Sequence, residues 1–139
     1  MSNEIENKPD ILTNDTRQQL KDLSKSMLRL HKTLLEAEKA DYESLNGRIP
    51  NVNTYFQLVL DHPQFAWLRK FSSLIALIDE AVSLRRPATE TESRGLLNEA
   101  RILLNFQDLD EDFNDKFQAA LQENSDAVLN YNDAVNLLK

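Results

Sequence analysis

The chain has 139 residues, 41% of them hydrophobic, with two glycines, four prolines, no cysteine and a formal net charge of −7. That length suits one domain around a single core, the scarcity of glycine and proline argues against a β-rich fold, and the lack of cysteine excludes disulfides and thiolate metal sites. The charge is uneven: residues 89–139 carry eleven carboxylates against four basic side chains, which repels phosphate backbones and argues against nucleic acid as a partner.

Residues 1–13 lack apolar periodicity and are expected to form a flexible tail, leaving 14–139 as a single helical domain. Met1 to Asp10 is acidic and polar, unlike a secretory leader, so the cytoplasm is the expected compartment. A long first helix is expected from about Asp15 to Leu45, capped by Asn14 or Asp15. Asn46-Gly47 should end it, with Gly47 in the left-handed C-cap conformation. Leu20, Leu23, Met27, Leu30, Leu34 and Ala37 step by three and four, as in a coiled-coil seam. Leu28, Leu35 and Tyr42 widen that seam into a face for two neighbours. Its breadth suggests self-association.

Beyond Pro50, Asn51 or Asn53 can cap a short helix, Thr54 to Leu60. Asp61-His62-Pro63 breaks it, with His62 as a turn or cap residue. Phe65 to Ser83 then reads as the most buried helix, with Trp67, Leu68, Phe71, Leu74, Ile75, Leu77, Ile78 and Val82 inward. Arg85-Arg86-Pro87 is a basic turn. Thr89 or Thr91 starts the next helix, where Leu96, Leu97, Ala100, Leu103 and Leu104 face inward and Gly95 marks a close helix–helix approach. Asp108 or Asp110 caps a fifth helix carrying Phe113, Phe117, Ala120 and Leu121. Ser125 or Asp126 caps the last, with Val128, Tyr131, Val135 and Leu138 on one face. The fold expected is all-α, an antiparallel bundle of five or six helices built around the long N-terminal one. No run approaches the roughly eighteen apolar residues of a membrane span, and no helix joins a strongly basic face to an apolar one.

Two ionisable residues, His31 and Glu38, fall near the centre of the first helix's apolar half. A polar group so placed must find a partner or lose its charge, since unpaired burial costs roughly 2–7 kcal/mol. Seven residues of helix is about 10.5 Å of rise, so the two cannot touch and each must meet another element. One reading is an inter-helix pocket lined by His31, Glu38, Asp41, Tyr42 and Asp79, fit for a small ligand or acid–base chemistry. The other is a set of buried polar pairs, with Arg94 or Arg101 facing Glu38, or a dimer interface over the same face.

Metal chemistry finds little support. Leu28 and Val59 stand three residues before the two histidines, where carboxylate-bridged metal bundles need glutamate. Asp108-Leu-Asp110-Glu-Asp112 begins like a calcium loop but has Phe113 at the glycine position and Ala119 at the twelfth. No Gly-rich phosphate loop or nucleophile elbow occurs. No metal, cofactor or catalytic residue is expected, and Trp67 reads as core packing.

The segments Leu30-His31-Lys32-x-Leu34-Leu35-x-Ala37-Glu38, Asp61-His62-Pro63-x-Phe65-Ala66-Trp67-Leu68-Arg69 and Ile78-Asp79-Glu80 resemble small helical bacterial proteins of unknown function. The resemblance covers about residues 28–82 and implies a bacterial cytosolic helical bundle; it implies no activity. The functional expectation is a non-enzymatic binding or interaction module, self-associating or with a protein partner. The alternative is a small-molecule-binding protein or enzyme centred on His31 and Glu38.

Overall fold

Five of the six α-helices among the described residues start at a short polar side chain that satisfies an otherwise orphan backbone N–H group. Thr13 opens α1, Asn14–Asn46, by accepting a hydrogen bond from Thr16 N at 3.2 Å. It does this one residue earlier than the expected Asn14 or Asp15. Residues 9–139 are described by a computed structural model. Within that span the tail expected over 1–13 is anchored from residue 10. Asp10 Oδ1 accepts from Thr91 N at 3.0 Å, Leu12 is buried, and Thr13 N donates to Glu90 Oε1 at 2.9 Å. The remainder of that expectation, residues 1–8, lies outside the described residues.

Asn51 caps α2, Val52–Asp61. The single helix expected over Phe65–Ser83 is two elements, a 3-10 helix at Pro63–Leu68 and α3 at Arg69–Ala81. His62 Nδ1 accepts from Gln64 N at 3.1 Å and so caps the 3-10 helix, with Pro63 at its first position. Three residues per turn put Phe65 and Leu68 on one line, and both are buried. Leu77 breaks the expected inner face of α3, being half exposed.

Thr89 starts α4, Glu90–Leu104, through a reciprocal capping box with Glu92. Its C-terminus is a Schellman motif: Gln107 N donates to Ile102 O and Phe106 N to Leu103 O. Phe106 takes the left-handed position that glycine usually fills, at φ 60°. Its ring stacks on Tyr131 at 5.7 Å and meets Phe117 at 5.1 Å, contacts that offset the backbone cost of about 1–2 kcal/mol. Asp110 caps α5, Glu111–Glu123, and Asn124 alone links it to α6, Ser125–Asn136, which it also caps.

Two glycine expectations are corrected. Gly47 has φ 85° and ψ 168°, an extended positive-φ conformation and not the left-handed C-cap. Gly95 faces open space, since a Cβ there would meet no atom within 4 Å. Ser93, in the same turn, is the residue that points inward and is fully buried.

The helix α1 is the hub: α6, α3, the 3-10 helix and α4 all pack on it. Leu20, Leu23, Met27, Leu30 and Leu34 are buried along its length, and Leu35 and Tyr42 pack on the core at half exposure. Leu28, expected to widen the face, is exposed. The inner line of α6 is Ala127, Tyr131 and Ala134, continued beyond its end by Leu138, so Val128 turns outward, contrary to expectation. Both alanines are fully buried; side chains this small let α6 lie close against α1. Among the described residues there are six α-helices and no strand, and no helix is long and apolar enough to cross a membrane.

Candidate functional site

A cleft of about 430 Å³ opens between α1, the 3-10 helix and α5. Small residues create it. Ala37 and Ala40 on α1 and Ala119 and Ala120 on α5 leave a gap that Leu34 and Trp67 only partly floor. Glu38, Asp41 and Glu123 bring carboxylates to it, and Lys116 brings one ammonium.

Glu38 is the best-held polar group of the cleft. Its Oε1 accepts from Gln64 Nε2 at 3.0 Å and its Oε2 from Trp67 Nε1 at 3.0 Å. Gln64 and Trp67 stand three apart on the 3-10 helix, where i and i+3 eclipse, so both donors project from one edge onto the same carboxylate. The His62 cap fixes the turn from which they project. Neither arginine offered as a partner for Glu38 fills that role. Arg94 pairs with Glu90 at 2.9 Å, and Arg101 Nε donates to Leu138 O at 3.1 Å.

Of the five residues expected to share a pocket, Glu38 and Asp41 do so. The other three lie elsewhere: His31 is about 10.5 Å along α1 from Glu38, Tyr42 follows Asp41 but is turned to another side of the helix, and Asp79 meets α1 in its N-terminal half. His31 packs against Phe71, ring centroids 6.4 Å apart. Tyr42 meets His62 edge-on at 5.3 Å and Phe65 at 6.0 Å, in an aromatic group beneath α2 that includes Tyr55. Asp79 is exposed and accepts a short hydrogen bond from Ser24 Oγ. Ser24 is fourteen residues from Glu38, roughly 21 Å along the helix.

Sequence reasoning assigned Trp67 to packing and passed over Gln64, Lys116 and Glu123. Trp67 is indeed buried, edge-on to Phe71 at 6.4 Å and tilted on Phe113 at 6.0 Å. A signal was present nonetheless. A buried indole N–H seeks an acceptor, and an inward glutamate seeks a donor.

His31 resolves its burial by losing charge: burial pushes its pKa below the ordinary 6.5. The folded state then binds the proton less readily than the unfolded chain. Stability attributable to this group is full above 6.5 and falls as pH drops from there towards the lowered value. His31→Leu is expected to abolish that part of the slope. Urea midpoints of the two proteins between neutral pH and pH about 5 check it; parallel profiles would show that His31 titrates as if in solvent.

A second surface feature lies on α2. Val52, Phe56 and Leu60, each four residues apart, are 63%, 58% and 64% exposed. Tyr55, Leu58 and Val59, on the other side, are half-buried and pack on the core.

Among the described residues no group of three or more His, Asp or Glu side chains is placed to hold a metal ion. Comparison with protein-family models, with curated proteins and with solved structures finds no match to this chain.

Proposed function

We propose that this chain is a non-enzymatic, cytosolic binding protein whose ligand is a small organic cation held in the Glu38 cleft. The observation that carries the reading is an imbalance of charge at an apolar-walled opening. Glu38, Asp41 and Glu123 line it, and none of them has an ion-pair partner among the described residues. The single ammonium of the cleft, Lys116, is engaged by Asp112 at 3.0 Å. Glu38 is oriented by two neutral donors, which leave its charge uncompensated and about half of its lone-pair sites open.

An ammonium on an apolar body suits this lining. The body sits against Leu34, Ala37 and Trp67, and the charge meets carboxylates at the rim. An anion would be repelled, and a neutral ligand would leave the carboxylates unmatched. The cleft lies within the usual size of small-molecule sites, roughly 300–1,000 Å³.

Trp67 is the only tryptophan of the chain and lines the cleft, so its fluorescence reports occupancy directly. Benzylamine, benzyl alcohol and benzoate share one ring and differ in charge. Benzylamine is expected to give a saturable change that weakens with salt, and the other two none. Asp41→Asn with Glu123→Gln, both at exposed positions, should leave helicity intact and weaken benzylamine about tenfold, the equivalent of ~1.4 kcal/mol. Equal binding of benzyl alcohol, or no saturable change at all, would overturn the reading.

A further inference from the structure

We infer that a second copy of this chain covers the outer face of α2, in an antiparallel two-fold pairing of α2 with α2. The proposal is independent of the cleft, which no residue of α2 lines. Self-association was expected from the apolar breadth of α1, but the fold uses most of that face internally, with Leu28 left exposed. On α2 an apolar stripe of Val52, Phe56 and Leu60 is left outside.

The charge arrangement around α2 selects the partner. Within Val52–Asp61 the only charged residue is Asp61, at the C-terminal end, and Arg48 stands four residues before the N-terminal end. Both are exposed, and neither forms an ion pair among the described residues. Antiparallel pairing places Phe56 against its own copy at the two-fold axis and Val52 opposite Leu60. It also carries each Asp61 to the partner's α2 N-terminus, where the helix dipole favours an anion and Arg48 supplies a cation. Parallel pairing would set Asp61 beside Asp61. The surface is thus self-complementary in one orientation and repulsive in the other.

Ten residues of helix span about 15 Å, so the contact falls well short of the roughly 800 Å² per partner of a standard interface. The dimer is therefore a weak one, formed at micromolar concentrations and above.

Sedimentation velocity on the full chain across that range tests it. The wild type should move from monomer to dimer with rising concentration, and Phe56→Glu should stay monomeric with unchanged circular dichroism. Arg48→Asp and Asp61→Arg should each weaken the dimer severalfold, and the double reversal should restore it. A wild type that stays monomeric throughout, or a double reversal no better than either single, would overturn the antiparallel pairing. Dimerisation of Phe56→Glu equal to the wild type would place the contact on another face.

Discussion

Phe71→Ala is expected to lower the stability of the domain by about 3–5 kcal/mol, a large share of the roughly 5–15 kcal/mol that holds a typical domain together. Phe71 is fully buried at the junction of three elements. Its ring meets Phe117 edge-on at 5.0 Å, Phe113 at 5.6 Å, and Trp67 and His31 at 6.4 Å each. Truncation removes apolar burial, leaves a cavity among rings that cannot close over it, and forfeits the edge-to-face contacts. The damage should be uneven. Phe113 and Phe117 are the only buried residues of α5, and both rest on Phe71. Amide exchange in α5 should therefore accelerate more than in α1. Phe71→Leu, which retains most of the volume, should cost substantially less. Chemical denaturation and hydrogen exchange read these effects, and a cost under about 1 kcal/mol would show that the aromatic cluster repacks freely.

The same cluster links core to cleft. Trp67 lies between Phe71 and Phe113 on its apolar side and donates to Glu38 on its polar one. Loosening α5 shifts Ala119, Ala120 and Glu123, one wall of the opening. Phe71→Ala should thus weaken benzylamine binding although Phe71 does not line the cleft.

What was legible in the sequence follows from which interactions are local. The period of Leu20, Leu23, Met27, Leu30 and Leu34 depends on one helix alone, and all five are buried as the spacing demands. The break at Asp61-His62-Pro63 and the capping residue Thr89 are local too. Caps shifted by a residue or two, to Thr13 and Asn124, because several neighbouring polar side chains compete for the same N–H groups. The cleft was only half legible. The position of Glu38 shows that it needs a partner, but the partners lie 26 and 29 residues on, in a segment whose 3-10 winding the apolar pattern does not distinguish from an α-helix. His31 looks equivalent on the same face and found a neutral, aromatic surrounding instead. Which alanines face a void, and which pack as Ala127 and Ala134 do, depends on the approach of two helices and is invisible in either alone.

Glu90→Ala is expected to cost about 1–2 kcal/mol at neutral pH and much less in strong acid. Glu90 is the first residue of α4, yet its carboxylate serves the start of α1. Oε1 accepts from Thr13 N at 2.9 Å, and Oε2 accepts from Thr16 Oγ1 at 2.6 Å and from Arg94 Nε at 2.9 Å. One negative charge thereby sits at the N-termini of two helices, where both dipoles favour it. The Thr13 backbone donor and then the Thr16 hydroxyl hold its pKa down at about 2, against an ordinary 4.5. Because the folded value is depressed, the stabilisation is fully present above 4.5 and is lost as pH falls from there towards 2. Part of this network faces solvent, which is why the figure stays below that of a dry triad of charged bonds. Glu90→Gln keeps acceptor geometry for one donor but abolishes the charge, so it should remove the acid dependence along with most of the stabilisation. Denaturation midpoints of wild type and both variants, followed from neutral pH into acid, should converge as Glu90 protonates. A gap that persists undiminished near pH 2 would mean that Glu90 acts through packing and not through its charge.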